Sequence, residues 1–129
     1  MVKILVSIQN GLLAEAMTTM LRESGEFKPF PIPVGSKNSN VVSECEMLDV
    51  QMALLEVSFV TGTTLETRLN EVKQIRRKMP NCKIVLLCDE NSAPNIAREV
   101  MLAKKDGLID GFFYSSVTAR YLLAALMAL

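Results

Sequence analysis

Val50-Gln51-Met52-Ala53-Leu54-Leu55-Glu56 is the stretch that decides the fold. From Met52 to Leu55 it is apolar without alternation, and it ends on a single carboxylate. A strand with one wet face alternates polar and apolar residues. A run that does not alternate suits a strand buried on both faces, as in the middle of a parallel sheet. In open α/β sheets, function gathers just past the carboxyl ends of such strands. Glu56 stands at that point and is the first candidate functional residue.

Toward the amino terminus, Val2 to Ile8 reads as a strand, apolar except for Lys3 and Ser7. Asn10 is placed to cap a helix with Leu13, Ala16, Met17, Met20 and Leu21 on one face, and Gly25 ends it. Phe27 to Val34 carries prolines at 29, 31 and 33. Alternate residues of a strand point their N–H groups to the same side. All three missing donors would then lie along one edge, which marks an edge strand blocked against further pairing. An extended polyproline-like segment without a partner is the alternative. Gly35 to Asn40 is a polar turn, and a short helix covers Val41 to Leu48.

Past Glu56, a loop runs from Val57 to Thr64. Leu65, Leu69, Val72, Ile75 and Met79 then form an amphipathic stripe, stopped by Pro80 and Asn81. Lys83 to Cys88 is a second fully buried strand. Ser92 is a candidate N-cap, with Pro94 in the first turn of a helix whose apolar face is Ile96, Ala97, Val100, Met101 and Ala103. Gly107 ends it, Ile109 to Ser115 is a fifth strand, and Val117 to Leu129 a last helix. Strand and helix alternate five times, which predicts a parallel sheet with helices on both faces and right-handed crossovers. With the second strand at an edge, the expected fold is a flavodoxin-like α/β/α sandwich of strand order 2-1-3-4-5, a single domain over residues 1–129.

Composition narrows the function. Fourteen basic and fourteen acidic residues leave zero net charge, so no footprint for DNA or an anionic membrane is expected. The basic cluster from Lys73 to Lys78 reads as a solvated helix face, with a phosphate-binding patch as the alternative. The chain contains no histidine, which removes the usual general base and the commonest zinc ligand. Cys45, Cys82 and Cys88 are odd in number and form no CxxC, so neither a disulfide nor a zinc framework is expected; Cys45 and Cys88, flanked by apolar residues, read as small core residues. No apolar run reaches membrane-span length, and no signal peptide is apparent. The expectation is a reduced, cytoplasmic protein that holds neither cofactor nor metal.

Over nearly its whole length the chain resembles the receiver domains of bacterial response regulators. The resemblance lies in Val2-Lys-Ile-Leu-Val, Met52 to Glu56, Lys83-Ile-Val-Leu-Leu-Cys88 and Asp110-Gly-Phe-Phe-Tyr-Ser115. Such receivers carry two acids after strand one to hold magnesium, a phosphoacceptor aspartate ending strand three, a Thr or Ser after strand four and a lysine after strand five. Here the acidic pair falls on Ile8 and Gln9, the acceptor on Glu56, the hydroxyl on Cys88 and the lysine on Ser115. Phe112 takes the place of the aromatic switch residue. Magnesium needs charged oxygen ligands, and phosphoryl transfer depends on metal and charge clamps. The resemblance therefore implies a pseudo-receiver: a non-catalytic regulatory domain of a two-component-type protein that works by protein contact. Glu56 is then either a fixed negative charge in place of an aspartyl phosphate or a strand-end carboxylate without a role.

The last helix, Thr118 to Leu129, has Arg120 as its one charge and little polar face. Its outer surface is expected to be covered, by a second copy in a homodimer or by an output domain, with Tyr121, Leu122, Ala125, Met127 and Leu129 as interface candidates. Receivers commonly associate through the fourth helix, fifth strand and fifth helix, the same surface. An alanine-rich helix that is simply well buried is the alternative. The apolar end at Leu129 suits the amino-terminal part of a longer protein, and a receiver-like domain ahead of a pilus-assembly ATPase is a variant of this reading. Other readings rank lower. Thr61-Gly62-Thr63-Thr64 faintly resembles a phosphate cradle of a flavin- or nucleotide-binding protein. Asp89 and Glu90 with Glu56 would make a weak cation site, and Ser115 a phosphoserine without a nearby base.

Overall fold

The computed structural model describes residues 1–33, 40–58, 63–88 and 94–129. Five strands and five helices alternate: β1 (Val2–Ser7), α1 (Gly11–Glu23), β2 (Phe27–Pro31), α2 (Val41–Leu48), β3 (Met52–Val57), α3 (Leu65–Lys78), β4 (Lys83–Cys88), α4 (Pro94–Lys105), β5 (Gly111–Tyr114) and α5 (Ala119–Met127). All strand pairs are parallel, in the order β2-β1-β3-β4-β5. This is the flavodoxin-like sandwich. The apolar run of β3 sits at its centre and every residue of that strand is buried.

Because strand side chains alternate between faces, β3 feeds two cores. Ala53, Leu55 and Val57 join Val72 and Ile75 of α3, Cys45 of α2 and Val100 of α4 on one side. Met52 and Leu54 join Met17 and Leu21 of α1 and Leu122 and Leu126 of α5 on the other. Phe112 packs on the first side and Phe113 on the second, as successive residues of β5 must.

Local chemistry sets the helix starts. Asn10 Oδ1 accepts the Leu13 N–H, Asn40 Oδ1 those of Val42 and Ser43, Thr64 Oγ1 that of Thr67, and Thr118 Oγ1 that of Tyr121. Each cap satisfies amides that have no partner inside the helix. After α1 and α4 the chain reverses at Gly25 (φ 75°) and Gly107 (φ 79°), left-handed positions where a side chain would strain the backbone.

β2 lies at the edge. The Ile32 N–H donates to Val6 O at 2.9 Å, and Val2 N–H to Glu26 O at 3.0 Å. Residues of even number in β2 therefore donate toward β1, and Pro29, Pro31 and Pro33 occupy the open side.

Several expectations need correction. β1, β2 and β5 are shorter than expected, since Ile8 lies past β1, Ile32 and Pro33 lie past β2, and Ile109 and Ser115 flank β5; β3 is shifted, with Val50 before it and Val57, expected in the loop, inside it, while β4 has the expected bounds. The last helix spans Ala119–Met127, since Thr118 caps it and Leu129 follows its end. Ala16 and Met101, placed on apolar faces, are exposed, because each sits at the margin of its helical stripe. Arg76 is not solvated like its neighbours Lys73 and Arg77. It donates to Leu108 O at 3.1 Å, to Cys82 O at 2.9 Å and to Asp110 Oδ2 at 2.7 Å, and the same Asp110 oxygen accepts the Ile84 N–H at 2.7 Å. The Ser92 cap, Val34 and the turn 35–39 lie outside the described residues.

Restoring donors on the outer edge of β2, with Pro29→Val and Pro31→Thr, is expected to leave the circular dichroism spectrum unchanged. Light scattering should then show concentration-dependent assemblies larger than those of the parent protein. An unchanged size distribution would mean that the prolines do not protect this edge.

Candidate functional site

β1 and β3 lie side by side, with Ser7 paired to Leu55, so their carboxyl ends bring Ser7 and Glu56 close together. Glu56 is 9% exposed. Its Oε1 accepts the backbone N–H of Gln9 at 2.8 Å, which ties the end of β3 to the turn entering α1. Gln9 contributes that amide while its side chain is exposed. Ile8 is buried in the core beneath α1 and α5. Neither residue offers a charged oxygen, so the positions read as an acidic pair do not fit a magnesium ion.

The group that organises this corner is Arg68, which no motif or apolar count in the sequence singles out. Leu65, Arg68, Val72 and Ile75 form the buried face of α3, so an arginine occupies one place in an otherwise apolar stripe. It is 1% exposed. Its Nε donates to Glu56 O at 2.8 Å, and its Nη2 to Ser7 O and Ser7 Oγ, each at 3.0 Å. Its Nη1 donates to Glu71 Oε1 at 3.1 Å, one turn further along the same helix. A buried guanidinium is costly unless its donors are met by well-placed acceptors, and here four oxygens meet them. Burial pushes the Glu71 carboxyl above its ordinary range, and the charge and hydrogen bond of Arg68 pull it back only in part.

The other candidate positions are dispersed. Cys88 is buried on the α3 side of the sheet, where burial raises its thiol to about 11. Cys45 and Cys82 are buried too, with thiols raised to about 12 and about 11, mainly by burial. Thiols held this high are poor nucleophiles and metal ligands at neutral pH. Ser115 is exposed, and its N–H donates to Cys88 O at 2.9 Å. Phe112 is half-buried, edge-on to Tyr114 with ring centres 6.4 Å apart and with Lys104 Nζ 5.9 Å above its ring. Asp89, Glu90, Thr61 and Gly62 lie outside the described residues. Thr63 is buried and bonded to Ser58, while Thr64 caps α3.

On α5, Leu122 leaves the set of interface candidates, because it is 1% exposed and packs into the core. Tyr121 is 61% exposed and sits edge-on to Phe113 at 6.2 Å. Ala125 is half-buried, and Met127 and Leu129 are exposed. Helical spacing sets Tyr121 and Ala125 on one stripe and Met127 off it. Met127 and Leu129 instead border an open groove of about 800 Å³ at the amino-terminal end of the sheet, away from Glu56. Among the described residues no helix is long and apolar enough to cross a membrane, and no cluster of three potential metal ligands occurs.

No protein-family model matches the chain, and no curated protein matches it. Solved structures do. A LuxR-family DNA-binding response regulator from Staphylococcus aureus is similar at 14% identity and a TM-score of 0.77, covering 99% of this chain and 98% of that one. The chemotaxis protein CheY4 from Vibrio cholerae is similar at 16% identity and a TM-score of 0.75, with the same coverage. An adenylate cyclase structure from Rhodopirellula baltica is similar at 15% identity and a TM-score of 0.70, covering 98% of this chain and 84% of that one. The receiver fold is thereby shown. A DNA-binding regulator, a chemotaxis protein and an adenylate cyclase structure share this fold, so the fold alone does not fix an activity.

Two measurements test this site. Arg68→Met strands Ser7, Glu56 and Glu71 without their donor and is expected to cost about 3–5 kcal/mol of unfolding free energy, against less than about 1 kcal/mol for the exposed Arg77→Met. The second is the pH dependence of Glu71. A carboxyl raised in the folded state contributes stability that is complete below its unfolded value, 4.5, and lost as pH rises through its folded value. The unfolding free energy of the parent protein, measured against that of Glu71→Gln, should therefore fall as pH rises from 4.5 toward neutrality. A difference that rises with pH would show that the ion pair with Arg68 outweighs burial.

Proposed function

We propose that this domain is a pseudo-receiver: a regulatory module of a bacterial two-component-type protein that acts by protein contact and carries no phosphoryl chemistry. The observation that supports it most is the corner at the ends of β1 and β3. A buried guanidinium and a carboxylate fixed to a backbone amide stand there, where phosphoryl transfer would need an acid pair and a free cation. On this reading the domain is not an enzyme, holds no metal or cofactor, and is cytoplasmic. Glu56 works as a strand-end tie through its bond to Gln9 rather than as a stand-in for a phosphate.

The surface offered to a partner is formed by α4, β5 and α5. Met101, 60% exposed, Tyr114 and Tyr121 give it apolar and aromatic area of the kind enriched at binding sites. The zero net charge suits a protein partner better than nucleic acid or an anionic membrane. A second copy in a homodimer, or a following output domain, would cover it.

Amide NMR spectra recorded with magnesium and beryllofluoride test the absence of phosphoryl chemistry. No shifts are expected at residues 7–9, 56–58 or 112–115, and saturable shifts there would overturn the proposal. Tyr121→Glu tests the surface separately. In sedimentation it is expected to weaken self-association at least tenfold while leaving the fold intact.

A further inference from the structure

The groove at the amino-terminal end of the sheet joins an apolar floor to one unpaired cation. Val2, Phe27, Met52 and Leu126 line it and pack with the core between the sheet, α1 and α5. Met127 and Leu129, 53% and 42% exposed, add apolar surface from the end of α5. Lys83 belongs to the same face. It pairs with Met52 in the β3–β4 register, and its side chain alternates with that of Ile84, which packs in the opposite core. Across the strand order β2-β1-β3-β4, the groove therefore reads Phe27, Val2, Met52, Lys83.

The Lys83 ammonium is exposed, and no carboxylate or carbonyl among the described residues holds it. The other lysines of the groove are engaged: Lys3 Nζ donates to Leu48 O at 3.3 Å, and Lys78 Nζ to Glu46 Oε2 at 3.1 Å. The acids of the groove stand apart from Lys83. Asp49 follows α2, whose Val42 and Cys45 pack on the opposite face. Glu26 precedes β2, three strand spacings from β4, or about 14 Å across the sheet. A concave apolar floor ending at a free cation suits an amphipathic anion, whose body leaves water while its head meets the ammonium. The groove volume of about 800 Å³ falls among small-molecule sites, roughly 300–1,000 Å³.

We propose that this groove binds an amphipathic organic anion, with its apolar body on Val2, Phe27, Met52 and Leu126 and its carboxylate on Lys83. The site contains no residue of α4 or β5 and lies at the end of the sheet away from Glu56. It therefore stands or falls separately from the pseudo-receiver reading.

Sodium decanoate, kept below its micelle concentration, is the probe, titrated into the full chain and followed by amide NMR. Saturable shifts are expected at residues 2–3, 26–27, 52, 83 and 126–129. Lys83→Gln should weaken binding about tenfold, because a charge-assisted bond is lost. Lys73→Gln removes an equal charge from the exposed side of α3 and should change binding less than about twofold. Met127→Glu, which sets a carboxylate beside the floor, should weaken binding at least about tenfold. Decyltrimethylammonium, with the same chain and the opposite charge, should bind more weakly by a similar factor. Shifts that fail to saturate, or that centre on Met101, Tyr114 and Tyr121, would mean adsorption to exposed apolar surface and would overturn the proposal. So would affinity that Lys83→Gln leaves unchanged, or decyltrimethylammonium binding as tightly as decanoate. Should Lys83→Gln fail to fold, Met127→Glu decides: weakened binding supports the site, and unchanged binding refutes it.

Discussion

Arg68 is a charge taken almost wholly out of water, and the corner of the fold that resembles a signalling site is arranged to hold it. Moving a guanidinium into the interior costs several kcal/mol, and an interior of apolar side chains could not keep it there. The cost is offset because β1 and β3 end side by side, so that Ser7 O and Glu56 O point the same way. The dependence runs in both directions. Without the strand pairing the arginine keeps only Glu71 of its own helix as an acceptor, and without the arginine two carbonyls and a hydroxyl lose their donor. Glu56 completes the tie on its other side through the Gln9 amide. Strand ends that open onto water in many sheets are here part of the packed interior.

Much of the architecture was legible in the sequence because it rests on local signals. The non-alternating run of β3, the caps at Asn10, Asn40 and Thr64, and the glycines after α1 and α4 each act within a few residues of themselves. The prolines of β2 were legible for a similar reason, since the direction of a strand N–H follows from the parity of its position. What escaped was tertiary. An apolar stripe is found by counting apolar residues, and such a count puts Leu69 in the α3 stripe although Arg68 is the more deeply buried. The signal existed, since Arg68 falls three residues after Leu65 and four before Val72. Its meaning depended on Ser7, 61 residues away. Leu122 failed as an interface candidate for a related reason: a helix with little polar face does not reveal which of its apolar sides meets the sheet.

The two bridging arginines of α3 divide the labour between the ends of the sheet. Arg68 joins the helix to the carboxyl ends of β1 and β3, while Arg76 joins it to Cys82, Leu108 and Asp110 around the starts of β4 and β5. Between them Val72 and Ile75 pack on the sheet. The helix is therefore clamped at both ends and greased in the middle, an arrangement that resists sliding along the strands. Helices α4 and α5 show no equivalent side-chain clamp among the described residues, and they carry the exposed Met101, Tyr121 and Met127.

The row of prolines in β2 has a further consequence, for growth of the sheet. A ladder recruits a new strand only where outward amides are free to donate, and Pro29, Pro31 and Pro33 have none. The opposite border is β5, four residues long and without proline. The sheet consequently has a polarity that its strand order alone does not reveal: outward amide donors are missing along the β2 border and retained along the β5 border.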